Sequence, residues 1–311
     1  MGYHPRIEAG ELVNFVTTRS LESRLWFVNN PALETATLSY LARFAARYEA
    51  KVYAVALEGN HIQGPIKFPK ENRSHFMRDL NSCVARAASR IGNHPGGRFW
   101  ARRYSNEFLP NGEDIEEYFF YTVLQPVKDG LVPKISEYPG YNCFHDAVAG
   151  IKRKFKVVRW AEYNAAKRRD PTIKINDYTD TVFLQYERLP GYENLSQQEY
   201  KKLMIQKLER RRLQIVEERA AKGLGFVGRD KLKQTATGSL PRSTKKSTIK
   251  DHRPRILCIC DKIRHEYKVW YFDMYFKYKS AARDYRLGKP NVVFPKGTYP
   301  PHLPCNLKLA A

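Results

Sequence analysis

The hydrophobic period of this chain switches between two and 3.6 in a fixed order over its first 125 residues or so, and that order restricts the fold more than any other feature. "VNFVTT" at 13–18 reads as a strand. Residues 32–49 place Leu41, Phe44, Ala45 and Tyr48 at helical spacing. "KVYAVAL" at 51–57 reads as a second strand, "EGN" is turn chemistry, and 61–68 returns as a third strand. Residues 74–91 carry Phe76, Leu80, Val84, Ala87, Ala88 and Ile91 on one helical face. "GNHPGG" at 92–97 is a break, "RFWARRYSNEFL" at 98–109 reads as a fourth, strongly basic strand or extended segment, and 114–124 as a helix stopped or kinked by Pro126. The order β-α-β-β-α-β-α predicts an α+β unit over residues 1–150: a ferredoxin-like (split βαβ) domain on an antiparallel sheet, with one extra helix.

After about residue 150 the pattern loses its period and becomes basic. Residues 151–222 read as a basic, partly helical extension, in which Ser196 and Glu199 form a capping box ahead of a long charged helix at 197–222. Residues 223–255, rich in Gly, Ser, Thr, Lys and Arg, read as a flexible basic linker. Residues 256–311 read as an aromatic-rich helix (262–287, with Tyr267, Trp270, Tyr271, Phe272, Tyr275 and Phe276) followed by a Pro-rich tail. No internal repeat is visible.

Charge decides the class of partner. Lys+Arg number 54 against 32 Asp+Glu, a formal net charge of +22, which favours nucleic acid first and an acidic membrane surface second. The aromatic content of 13% supplies flat rings on which unpaired bases could stack, which suits single-stranded nucleic acid. A ribosome-like basic protein with no chemistry fits the charge equally well. The five cysteines show no C-x-x-C pair and no zinc-finger spacing, so a reducing compartment and no disulfide framework are expected. The N-terminal "MGYHPRIEAG" has no apolar signal region, and no run approaches the length of a membrane span. A cytoplasmic location follows as the expectation. The Walker-type phosphate loop is also missing, so no nucleotide cofactor is expected.

Two short motifs carry chemistry. On a strand, residues two apart face one side, so His61 and Gln63 present an imidazole and an amide oxygen together, with Ile62 turned to the buried face. Two such neutral ligands make half a site for Mg²⁺ or Mn²⁺. Alone, the pair is more simply a structural feature of a strand. Further on, "EEYFFYTVLQPV" sets Tyr121 and Gln125 one helical turn apart, with Tyr118 one turn earlier. A tyrosine hydroxyl can attack phosphorus when a metal polarises the phosphodiester, and Gln125 could complete the metal shell. The competing reading is an aromatic stripe packed on the sheet.

Taken together these motifs resemble the HUH single-strand nucleases, and within them the REP-associated tyrosine transposases and their insertion-sequence relatives. "FVTTRS" is similar to the family's opening strand and "NHIQ" to its Asn-His-x-His. "SHFMRDLNSCVARAASR" resembles the following helix and "GGRFWARRY" its Gly-x-x-Trp-x-x-Arg-Tyr segment. "YTVLQPVKDGLV" resembles Tyr-x-x-x-Asn-Pro-Val-x-x-Gly-Leu-Val, "SEYPGYNCFHDAVAG" the short closing segment, and "VVFPKGTYPP" the tail of longer members. The resemblance makes 1–150 an HUH domain. It implies Tyr121 as nucleophile, with Tyr118 as runner-up, and His61, Gln63 and Gln125 as ligands of Mg²⁺ or Mn²⁺. Gln63 departs from the family's second histidine, giving a His-hydrophobe-Gln variant, and Asn14 stands where a histidine is common.

The implied activity is metal-dependent cutting and rejoining of single-stranded DNA beside hairpins, through a 5′-phosphotyrosine and a free 3′-OH. Arg19, Arg98, Arg102 and Arg103 would hold phosphates, and Trp100 and Tyr104 could stack bases. The implied partner is hairpin DNA, in a prokaryotic, nucleoid-associated setting, with the active site formed in one chain or across a homodimer. The alternatives are a domesticated hairpin-binding protein in which Gln63 marks lost catalysis, and a rolling-circle replication initiator.

Overall fold

The computed structural model describes residues 4–241 and 255–302. Its elements in chain order begin with strand β1 (Val13–Arg19), helix α1 (Pro31–Arg47), strands β2 (Lys51–Val52), β3 (Ala56–Glu58) and β4 (His61–Lys67), helix α2 (Arg73–Ile91) and strand β5 (Ser105–Leu109). Helices α3 (Gly112–Val123), α4 (Gln125–Lys128) and α5 (Phe144–Ala149) follow, then β6 (Arg153–Val158), α6 (Trp160–Lys167), β7 (Thr179–Leu184), α7 (Gln197–Ala221), α8 (Arg229–Gln234) and α9 (Asp261–Arg286).

The main sheet runs β2-β4-β1-β5, with β3 also paired to β4, and every pairing is antiparallel. With β2 and β3 counted as one broken strand, this is the split βαβ order predicted from the sequence. Alternation sorts the strands into two faces. Val16, Ile62 and Ile66 enter the core with α1 and α2, whereas Phe15, Thr17, Arg19, His61 and Gln63 face a cleft on the other side. Asn14 lies on the helix side, where it accepts 2.6 Å from the buried Arg73 guanidinium and takes no part in the cleft.

Several boundaries differ from the sequence reading. The expected strand 51–57 is interrupted. Val52 pairs with Ile66 and Ala56 with Gln63, so three residues span the gap opposite two. This is a β-bulge, and it fits Gly64, where a Cβ would collide with the Ala54 carbonyl. The fourth strand starts at Ser105, not at 98; its predecessors make only a single bridge, from Trp100 to Ser20. The sequence there, with Gly96 and Gly97 at positive φ and Phe99 pulled into the core, spends its length on packing the end of β1.

The α7 capping box forms as expected, the Glu199 amide donating to Ser196 Oγ at 3.3 Å and the Ser196 amide to Glu199 Oε2 at 2.9 Å. Residues 223–255 depart from a flexible linker over 224–241. That stretch carries α8 and packs on 24–30, with Asn29 Nδ2 donating to the carbonyls of Leu232, Lys233 and Thr235 at 2.8–2.9 Å. The linker reading of 242–254 lies outside the described residues. Residues 255–258 then line the open edge of β5, the Leu257 amide donating to Phe108 at 2.8 Å, and α9 packs through Tyr271 on Ile7, Leu12 and Phe108. The Pro-rich tail folds back, the Gly297 carbonyl accepting from the Glu8 amide at 2.7 Å. Residues 303–311 of that tail lie outside the described residues. Among the described residues no helix is long and apolar enough to cross a membrane.

Candidate active site

A cleft of about 1230 Å³ opens over the sheet face opposite α1 and α2. Its floor is β1, β3, β4 and β5, and one wall is the α3–α4 junction. Arg19, His61, Gln63, Arg102, Arg103, Tyr121 and Gln125 all line it. Arg19 pairs with His61 across β1 and β4, and Thr17 with Gln63. Arg98, Trp100, Tyr104 and Tyr118 lie outside the lining. Arg98 donates to the Trp100 and Ala101 carbonyls. The Trp100 indole N–H donates to Asn81 O at 2.9 Å while its ring packs with Phe27 and Phe99. Tyr104 is buried, with the Arg6 guanidinium 3.7 Å above its ring, so a base stacked there would have to displace that cation.

The wall is built by a helix break. Leu124 closes α3, its amide bonding to Phe120 O at 2.9 Å, and Pro126 starts the four-residue α4 that Gln125 heads. Phe119 and Phe120 are buried. Tyr118 and Tyr121 sit half-buried over Phe15, their ring centroids 5.0 and 5.8 Å from it. The "YFFY" run therefore serves both readings: its middle pair packs, and Tyr121 reaches the cleft. Lys128 Nζ lies 4.3 Å over the Tyr121 ring.

Gln63 and Gln125 meet directly, Gln63 Nε2 donating to Gln125 Oε1 at 2.6 Å, and Gln125 Nε2 donates to Asp129 at 3.0 Å. His61 Nδ1 lies 2.8 Å from Asn60 Oδ1, which also accepts from Arg19 at 3.0 Å. That acceptor role puts the ring proton on Nδ1 and leaves Nε2 with its lone pair. Burial, with Arg19 nearby, drops the His61 pKa to about 3, so the ring is a neutral donor. Glu58, opposite His61 across the hairpin, is pushed up to about 8 by burial and by the charge of Asp129. The sequence reading missed Glu58 and Asp129. The first was legible: a two-residue Gly59-Asn60 turn puts Glu58 opposite His61. Asp129 follows Gln125 by one helical turn. Arg219, which also lines the cleft from α7, had no sequence signal.

Among the described residues no three His, Cys, Asp or Glu side chains converge on a common metal position, so any cation held here would need the amide oxygens. With them the donors on offer are the His61 imidazole nitrogen and the Gln63 and Gln125 amide oxygens, neutral ligands whose chemistry suits a hard divalent ion.

No family model matches the sequence, and no curated protein matches it. Among solved structures, a REP-associated tyrosine transposase bound to a REP hairpin is similar at 18% identity and a TM-score of 0.41, over 49% of this chain and 88% of that one.

Proposed function

We propose that this chain is a divalent-metal-dependent endonuclease and strand transferase on single-stranded DNA next to hairpins, with Tyr121 as nucleophile. One observation carries the reading: Tyr121 and Gln125 overhang the strand face of His61 and Gln63 inside one arginine-lined cleft, with Gln63 and Gln125 in hydrogen-bond contact. His61 Nε2, Gln63 and Gln125 would hold Mg²⁺ or Mn²⁺, whose charge would polarise the scissile phosphate, and the Glu58 and Asp129 side chains line the same cleft. The chain's own residues do the rest. Arg19, Arg102 and Arg103 neutralise and orient the phosphates along the strand. The Tyr121 oxygen forms a bond to phosphorus as the bond to the 3′ oxygen breaks, and the tyrosine's proton ends on that oxygen. The product is a 5′-phosphotyrosine and a free 3′-OH. Because one phosphodiester replaces another, a second 3′-OH can reverse the step and join new ends without ATP.

The test is a covalent adduct. Incubated with end-labelled hairpin DNA bearing a single-stranded flank and Mn²⁺, the protein should yield a labelled protein–DNA band. That band is lost in Tyr121→Phe and kept in Tyr118→Phe. Loss in Tyr118→Phe alone would move the nucleophile one turn. The Gln63–Gln125 bond favours a second reading, a hairpin-binding protein whose amides hold each other instead of a metal. Tight hairpin binding with no adduct under Mg²⁺ or Mn²⁺ would establish that reading in place of the enzyme.

A further inference from the structure

The extension contains a two-stranded ribbon that the cleft does not use. β6 and β7 pair antiparallel in register from Arg153–Leu184 to Val158–Thr179. Alternation divides the ribbon into two faces. Phe155, Val157, Val182 and Leu184 turn inward and join the main core. Lys154 and Lys156, with Thr181 and Phe183 across from them, turn outward. All four are exposed, Phe183 to 44%. Lys152, one residue before the ribbon, is also exposed and sets its ammonium 4.8 Å over the Phe183 ring. Among the described residues no carboxylate forms an ion pair with Lys152, Lys154 or Lys156. The nearby Asp180 and Glu162 are taken by Arg159. The ribbon therefore presents uncompensated positive charge at regular spacing on a rigid frame.

We propose that the outer face of this ribbon is a second DNA-binding surface, for the double-stranded part of the substrate. The ligand chemistry is the phosphate row of a duplex. Lys154 and Lys156 stand about 7 Å apart along the strand, close to two base-pair steps at 3.4 Å each. The whole ribbon spans about 20 Å, and two-stranded ribbons of this kind fit the DNA major groove. Thr181 adds a hydroxyl donor directly across from Lys156. The inference rests on DNA being the substrate, as proposed above, but needs no chemistry at Tyr121.

The experiment measures binding of the full chain to two probes by fluorescence anisotropy across a salt series: a long-stemmed hairpin with a single-stranded flank, and the flank alone. The variant is Lys152→Ala/Lys154→Ala/Lys156→Ala, three exposed positions whose loss should leave the melting temperature unchanged. Each lost phosphate contact lowers the magnitude of the log K–log salt slope by about 0.9, so the triple variant should lower it by about 2.7 on the hairpin and leave the flank unchanged. Affinity for the hairpin should fall at least tenfold at moderate salt. The Mn²⁺-dependent adduct with the flank alone should be unaffected. A control triple variant on α9, Lys262→Ala/Lys277→Ala/Lys279→Ala, should leave the hairpin slope within one unit of wild type.

Equal losses in the ribbon and control variants, equal losses on both probes, or no loss would overturn the inference. So would salt-sensitive binding of the ribbon to phosphatidylserine vesicles without a contribution to duplex binding. Adduct formation with unchanged ribbon variants defeats this inference alone. A ribbon-dependent slope with no adduct defeats the enzymatic reading alone.

Discussion

Glu58 and His61 face each other across a hairpin, and burial shifts them in opposite directions. Glu58 titrates near 8 when folded against 4.5 when unfolded, and His61 near 3 against 6.5. From pH 6.5 to 8 the unfolded chain has lost the Glu58 proton while the folded chain keeps it, so stability falls as pH rises, by about 1.4 kcal/mol per unit at most. Between 4.5 and 6.5 the two slopes oppose and cancel. Below 4.5 the unfolded histidine holds a proton that the folded one refuses, so stability falls as pH drops toward 3. Melting curves in chelator should therefore show a loss between pH 6.5 and 8 that Glu58→Gln removes. Added Mn²⁺ should raise the melting temperature more at pH 8 than at pH 6.5, and Gln125→Ala should reduce that gain. A Glu58→Gln protein that keeps the full alkaline loss would show that Glu58 is not its source.

At the scale of elements, α3, the helix that bears Tyr121, is held from outside by α7. Tyr200, Met204, Leu208 and Arg212 recur every fourth residue and are buried, a stripe at helical period. Beside that stripe Lys207 Nζ reaches Glu116 at 2.8 and 2.9 Å, and Arg211 pairs with Glu117 while covering the Phe120 ring. Farther along, Arg219 donates to the Lys128 carbonyl at 3.2 Å, just past Gln125. The extension thus fixes α3 and α4, and with them Tyr121 and Gln125. A double-mutant cycle on Glu116→Ala and Lys207→Ala should return a coupling of about 0.5–1 kcal/mol, since the pair is only partly exposed. Arg219→Ala is expected to slow adduct formation more than it weakens DNA binding, measured as a single-turnover rate against anisotropy. Phe119→Ala, at the buried centre of α3, should cost about 3–5 kcal/mol in denaturant unfolding.

Across the whole molecule, the chain closes on itself at both ends of the sheet. Residues 224–241 pack on the loop after β1. Gly238 lies against the Trp26 ring, where its φ of +76° and the lack of room for a Cβ both call for glycine. Leu232, Lys233, Thr235 and Pro241 from this stretch also line the cleft. Asn29→Ala, which removes the amide that holds three carbonyls of this stretch, should cost about 1–3 kcal/mol and speed limited proteolysis within 224–241. At the other edge, residues 255–258 and α9 cover β5, so the small core formed by Ile7, Leu12, Phe108 and Tyr271 joins the two ends of the chain.

What was legible in the sequence was local. Period-two and period-3.6 runs gave the order of elements from β1 to α3, and antiparallel pairing followed from that order. The Ser196–Glu199 box placed the start of α7. Alternation placed His61 with Gln63, and helical spacing placed Tyr121 with Gln125. These are consequences of backbone geometry within a few residues. Over 98–104 the structure takes the extended-segment alternative and the strand starts at Ser105, because the aromatics there pack into the core at the end of β1, and a strand and a packed irregular segment share that composition. The meeting of Gln63 with Gln125, the approach of the Asp129 charge to Glu58, the α7 hold on α3 and the course of 224–241 depend on contacts between residues far apart in the chain. No local period encodes those contacts, because they form only when the two faces of the sheet are committed to different partners. The sequence determined which side chains share a face, and the tertiary structure decided which faces meet.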